Sequence, residues 1–285
     1  MREIEEQINQ KTFYSKLFKK VFRKVNENMI ISPKLLQMSI GILLFATADE
    51  EASKIRKFLC LESNNNLDVA CNFYEFFTNC RIFPLVNFSL NIFPNVQYEF
   101  LKAFNEIVKI ALHVKPEFVD FEKSAEAAEQ INCWARYVTN NRIKRIVGSA
   151  SFDKNTSLVL VSTSILKAYW RIPFDPANTT YGRFALDEFR TIPVKMMTAY
   201  DNFRVGDIPE LDAKVVELQF AFSDISMFIF MPNSRKGLRR MNKLLAKSDL
   251  STLCENLVFK QILILLPKFV TEFQIDLTDY VREVS

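Results

Sequence analysis

Leu158-Val159-Leu160-Val161-Ser162-Thr163-Ser164-Ile165-Leu166 is a nine-residue run rich in Val, Leu and Ile, with no charge and no Pro or Gly to break it. Such a run reads as a long strand buried on both faces, and it sits where the chain changes character. Upstream, the apolar residues mostly recur at helical spacing. Downstream, short β-rich runs dominate, at Thr191 to Met197, Lys214 to Gln219, Ser226 to Met231 and Gln261 to Leu266. Helices first and strands second is an α+β order rather than an alternating βαβ one. No repeat, low-complexity tract or Gly/Pro-rich linker divides the chain, so the expectation is one domain over residues 1–285, with N-terminal helices packed on large mixed β-sheets.

The upstream elements follow from period and punctuation. Phe13, Leu17, Val21 and Val25 mark an amphipathic helix from Asn9 to Val25, ringed by lysines and Arg23. A solvated face is the commoner use of such a helix, and a membrane surface is the alternative. Met29 to Ile31 reads as a short β segment ended by Ser32-Pro33, where the Pro suits the first turn of the next helix. A polar helix runs from Ala48 to Leu59, the loop Ser63 to Asn66 follows, and Leu67 to Arg81 is helical. Phe88 to Phe93 is a strand, and Tyr98 to Ala111 a helix. Ile131 to Val147 is a further helix, with Trp134, Val138, Ile143 and Val147 near one face.

Composition removes several classes of chemistry. With five glycines, neither GxGxxG nor GxxxxGK[ST] can be written. The one histidine, His113, has no Ser or Cys motif to act with and reads as a structural imidazole. One His and widely spaced Cys cannot supply zinc ligand pairs, and no cofactor is implied. Asp49-Glu50-Glu51 opens a helix, where negative charge complements the N-terminal turn. The chain therefore reads as no enzyme. A formal charge of +4 does not point to nucleic acid. The apolar run Met38 to Ala48 is too short for a membrane span, which takes about 18 residues or more.

Cys60, Cys71, Cys80, Cys133 and Cys254 are odd in number, lack CxxC spacing and read as buried free thiols. Asn87, Asn155 and Asn178 stand in N-x-S/T acceptors, usable in a secretory compartment. Met1 to Gln10 is polar and acidic, unlike a signal peptide, which places the protein in the cytoplasm if Met1 is the true start.

An ordered series of short motifs carries a resemblance. It begins with Asn28-Met29-Ile30-Ile31-Ser32-Pro33 and Glu51-Ala52-Ser53-Lys54-Ile55-Arg56, then Val119-Asp120-Phe121 and Ile131-Asn132-Cys133-Trp134. It continues with Leu158 to Val161, Lys167, Trp170, Pro173 and Phe174, then Val194-Lys195-Met196-Met197 and Ile208-Pro209-Glu210-Leu211. Val215 to Leu218, Met231-Pro232-Asn233 and Leu266-Pro267-Lys268-Phe269 complete it. Together these resemble the serpin (serine protease inhibitor) family. Each motif alone is weak; the order is specific.

The resemblance implies a fold whose central sheet contains the Leu158 strand, with the Ile131 helix crossing that sheet in front. It implies a serine protease as partner, an extracellular location, and inhibition by strand addition, in which a cleaved loop enters the sheet. The family pattern runs out soon after Ile275-Asp276-Leu277-Thr278, so the 285 residues are expected to lack the hinge, the reactive loop and the final strands. On that expectation this form is non-inhibitory and open to self-association through exposed sheet edges, or serves as a binding, carrier or chaperone-like module. Ser124-Ala125-Glu126-Ala127-Ala128 has the composition of a hinge but the position of a helix entry. By the same resemblance, Ser32, Leu35, Ser162 and Trp170 fall in the region that parts to admit the loop. Leu35 and Ser162 replace a Ser and an Asn common there, which weakens the polar network across the gap.

Overall fold

The computed structural model describes residues 13–18, 28–61, 63–82, 86–248, 250–271, 273 and 275. Residues 13–18 are helical; the rest of the Asn9–Val25 helix, and all but Ile275 of the Ile275–Thr278 motif, lie outside the described residues. Contacts divide the chain into two units, one of residues 1–13, 30–167 and 273–285, the other of residues 14–29 and 168–272.

The first unit is built from α1 (Pro33–Gly41), α2 (Asp49–Leu59), α3 (Asn66–Ile82), β1 (Val86–Pro94), α4 (Lys102–Leu112), α5 (Ser124–Val138) and β2 (Leu158–Leu166). Pro33 starts α1 as its fixed φ favours, and Asp49, Glu50 and Glu51 fill the first turn of α2. β2 has the bounds read from sequence and pairs antiparallel with β1, from Val86 opposite Leu166 to Pro94 opposite Leu158.

Alternation along these strands feeds two cores. Leu90 and Ile92 of β1, with Leu158 and Leu160 of β2, join one cluster with Met38, Ile42, Phe73, Phe77, Phe104 and Val108. Phe93, Val161 and Val159 join another with Phe121, Ala127, Ile131 and Trp134. The two-residue strand period thus sends neighbouring side chains to opposite faces, with α1, α3 and α4 on one and α5 on the other.

The second unit holds β3 (Thr180–Ala185), β4 (Thr191–Ile208), β5 (Ala213–Gln219), β6 (Ser226–Pro232), α6 (Leu238–Leu245), α7 (Leu250–Glu255) and β7 (Val258–Pro267). Its sheet is organised by β4. Residues 191–196 of β4 pair with β3, residues 196–205 with β7 and residues 204–208 with β5, and β6 pairs with β5. One apolar cluster unites Ala199, Phe203, Leu218 and Ile264 with Trp170, Ile172 and Phe174. A second collects Leu211, Val215, Met241, Cys254 and Leu257 beneath α6 and α7.

Several expectations are corrected. Met29 to Ile31 is not a strand, because no described strand pairs with it and a strand is stable only with a partner. The Ile131 helix starts earlier and stops at Val138, since Asn140 and Asn141 take positive φ of 49° and 62°. The Tyr98 helix begins only at Lys102, because Asn95 first turns the chain, accepting from the Gln97 N–H at 3.1 Å on Oδ1 and from the Tyr98 N–H at 3.0 Å on its carbonyl. β3, α6 and α7 had no expectation. Cys60, Cys71, Cys133 and Cys254 form no disulfide, yet Cys71 and Cys133 are exposed and, among these four, only Cys254 is buried, while the side chain of Cys80 lies outside the described residues. His113 is an exposed residue with φ 55° that closes α4, with its ring 5.9 Å from that of Tyr74.

Candidate functional site

β2 is the strand on which the site is built. Five consecutive β1 residues, Leu90 to Pro94, are buried, whereas in β2 only Val161 and Thr163 are. The difference follows from position, since among the described residues β1 is the only strand that pairs with β2 and the other edge of β2 has no partner. An open edge carries unpaired backbone N–H and C=O groups and can accept a further strand. β2 has none of the usual protections, such as Lys, Pro or a bulge.

On one face, α1 packs against β2. Leu35 is 3% exposed within α1, and its carbonyl accepts from the Ser39 hydroxyl at 2.8 Å. Gln37, fully buried, donates to the Leu59 carbonyl at 2.9 Å and fastens α1 to the end of α2. Ser32 stands at the N-cap of α1 without a side-chain cap bond, and its carbonyl accepts from the Leu36 N–H at 3.1 Å. Ser162 is half-buried opposite Leu90. Among the described residues neither serine hydroxyl has a hydrogen-bond partner. The structure therefore packs the helix that Ser32 precedes and that carries Leu35 against the strand that carries Ser162.

The opposite face is closed by α5, whose Ile131 is fully buried and whose Trp134 meets Phe93 edge-on at 5.8 Å. Asn132 ties this helix to the segment returning toward β2. Its Nδ2 donates to the Val147 carbonyl at 2.9 Å, and its Oδ1 accepts from the N–H groups of Ile146 at 2.7 Å and Val147 at 3.1 Å. Thr139, also buried, donates to the Ala135 carbonyl and accepts from the Ile143 N–H. Sequence reasoning quoted Asn132 in a motif but missed this role, which depends on a chain reversal after Asn140 that pattern does not announce.

Trp170 belongs to the second unit. Its ring stacks on Phe220 at 4.7 Å with 19° between planes and meets Phe174 edge-on at 6.3 Å. Backbone bonds from Arg171 N–H to Gln219 and from Ala221 N–H to Tyr169 frame it. Nearby in the same unit, Glu217 is 6% exposed, accepts from Arg204 at 2.6 Å and takes a hydrogen bond from the Ser226 hydroxyl at 2.6 Å. Burial pushes the Cys254 thiol pKa up; Glu217 adds to the rise and Arg204 opposes it. The Arg204–Glu217 pair was not read from sequence, since it exists only through the β4–β5 register.

The three glycan acceptors differ in setting. Asn155 and Asn178 are exposed, one in a turn and the other in a 3₁₀ segment at Pro176–Asn178, while Asn87 lies within β1 opposite Ile165. Among the described residues no cluster of three His, Cys, Asp or Glu could hold a metal, and no helix is long and apolar enough to cross a membrane.

Comparison with known proteins agrees with this geometry. The model of the family described as Serpin (serine protease inhibitor) matches residues 8–284. Serine protease inhibitor 42Dd of Drosophila melanogaster is 26% identical over 91% of the chain and 69% of its own length. Alaserpin of Manduca sexta is 29% identical over 96% of the chain and 70% of its own length. Among solved structures, cleaved Serpin 42Da superposes with a TM-score of 0.90 at 28% identity, covering 99% of this chain and 76% of that one.

Proposed function

Since the chain belongs to the serpin family, we propose that these residues form the strand-accepting body of a serine protease inhibitor. The observation that carries the reading is β2, an uncharged strand with one face packed on α1 and the helical core, the other on α5, and a free edge among the described residues. Ser32, Leu35 and Ser162 lie where the sheet parts, and Leu35 replaces a polar contact by burial, so parting is governed by packing more than by hydrogen bonds. Trp170 holds the entry to the second unit. The two units act as one domain, which predicts coincident unfolding transitions when Trp134 and Trp170 are followed separately.

Taken by itself, the 285-residue polypeptide is the acceptor and does not trap a protease. The test is incubation with trypsin-like and chymotrypsin-like enzymes followed by denaturing electrophoresis. No covalent complex is expected, and a detergent-stable one overturns the claim. The free edge also supports concentration-dependent self-association. Ser164→Lys, at an exposed β2 position, should reduce it in sedimentation experiments with little change in fold.

A second reading, a non-inhibitory binding module, is favoured by one feature of the first unit. An open groove of about 610 Å³ lies among Phe45, Thr47, Tyr98, Phe100, Phe104 and Leu158. The buried Thr47 hydroxyl there has no hydrogen-bond partner. Saturable uptake of a neutral aromatic dye, lost in Ala46→Phe, supports this reading; absence of uptake removes it.

A further inference from the structure

The segment from Ile225 to Ser248 contains no Asp or Glu, yet it carries Arg235, Lys236, Arg239, Arg240, Lys243 and Lys247. All six are exposed. Among the described residues only Lys236 has an ion pair, with Glu188 at 2.7 Å. On α6, at 100° per residue, Arg239, Arg240 and Lys243 share the face opposite Met241, which is 3% exposed in the core beneath. Arg235 and Lys236 precede the helix and Lys247 follows it. Cations gathered at a helix start with no acid in the first turn lie against the positive end of the helix dipole, so the surface is electrostatically unsatisfied. The Ser15 hydroxyl donates to the Ala246 carbonyl and brings the helical residues 14–18 to the end of α6.

We propose that this face is a docking surface for an anionic lipid bilayer. The cations fan over a convex helix and its two flanking turns, and none of them lines a described cavity. A nucleic-acid or polysaccharide strand is held best in a groove, with aromatic residues for bases, and residues 232–257 contain no aromatic. A plane of charge needs only a protruding face. Attachment is by adsorption rather than insertion, because the apolar sides of both helices are already used: Met241 in one core, and Phe13 and Leu17 at 2% and 8% exposure. Leu238, 56% exposed at the start of α6, is left for shallow contact.

The test is co-sedimentation of the 285-residue chain with vesicles of phosphatidylcholine, alone or with about 30% phosphatidylserine. Binding is expected only to the anionic vesicles, and should fall more than about tenfold when salt rises from ~20 to ~300 mM, as the Debye length shrinks. The triple variant Arg239→Gln, Arg240→Gln, Lys243→Gln should bind about 100-fold more weakly, at roughly fivefold per cation. A second variant, Arg235→Gln with Lys247→Gln outside the helix, should lose about 25-fold. Equal binding to neutral vesicles, insensitivity to salt, or binding of sulfated polysaccharide or duplex DNA without vesicle binding overturns the proposal.

Discussion

Asn132→Ala tests how α5 is held against the sheet. The side chain, 6% exposed, makes three hydrogen bonds to the backbone of Ile146 and Val147, and the alanine makes none. A typical intramolecular hydrogen bond contributes about 0.5–1.5 kcal/mol net, so three give about 2–4 kcal/mol. Ile146 and Val147 are only half-buried, so water can reach some of the orphaned groups, and the lower half of that range is expected. Trp134 lies two residues along the same helix against Phe93 and reports the loss directly. In a Trp170→Phe background it is the only tryptophan. Urea unfolding followed by its fluorescence should shift to lower denaturant by about 1 M, taking a slope of about 2–3 kcal/mol/M. Tyr137→Ala, 83% exposed on α5, is the control and should change stability by less than about 0.5 kcal/mol. If Asn132→Ala is equally silent, the helix is held by Ile131 and its neighbours alone, and the tethering argument fails.

Three other outcomes are expected. A Cβ added at Gly41 meets Phe73 Cζ at 2.5 Å inside the helical core, so Gly41→Ala should cost about 1–3 kcal/mol in chemical denaturation, and an unchanged midpoint would show that Phe73 moves freely. Glu217→Gln removes the countercharge of Arg204 and should cost about 3 kcal/mol, read as a lower thermal midpoint. Burial pushes the Tyr14 hydroxyl pKa from 10.0 up to about 12; since this favours the neutral form in the folded chain, the stabilisation is complete below pH 10 and lost as pH rises through 12. Tyr14→Phe should flatten that part of the stability profile, and an unchanged profile assigns the alkaline loss elsewhere.

The elements legible in sequence were those whose stability is local or whose pattern is one-dimensional. β2 kept its bounds because an uncharged, β-branched run admits no competing period, and α2 because its acids and apolar positions agree. Met29 to Ile31 has the composition of a strand, but composition cannot supply a partner. The end of α5 was overrun because Ile143 and Val147 continue a helical spacing that two asparagines in positive φ interrupt; their tolerance of that conformation is weak as a signal. Of the candidate site, the strand carrying Ser162 and the helix carrying Leu35 were legible as elements, while the Asn132 tether and the Arg204–Glu217 pair were not. Both of these bring together residues more than ten positions apart, through a chain reversal in one case and a strand register in the other.

On the proposed reading, the edge of β2 that has no partner among the described residues also indicates where the drive for strand addition would reside. A strand laid along it exchanges water for backbone partners at about 1 kcal/mol per bond, while ordering its own backbone costs about 1–2 kcal/mol per residue. These nearly offset, so a net gain has to come from side chains buried against the two flanking clusters. Those clusters flank the lower part of β2, where Leu158 and Leu160 point to one and Val159 and Val161 to the other. Beyond Thr163, Ser164 and Leu166 are exposed and offer an added strand less to pack on. Ser162 sits at the boundary between these halves. On the proposed strand-accepting reading it would therefore bear more on how readily the sheet parts than on how much is gained once a strand has been added.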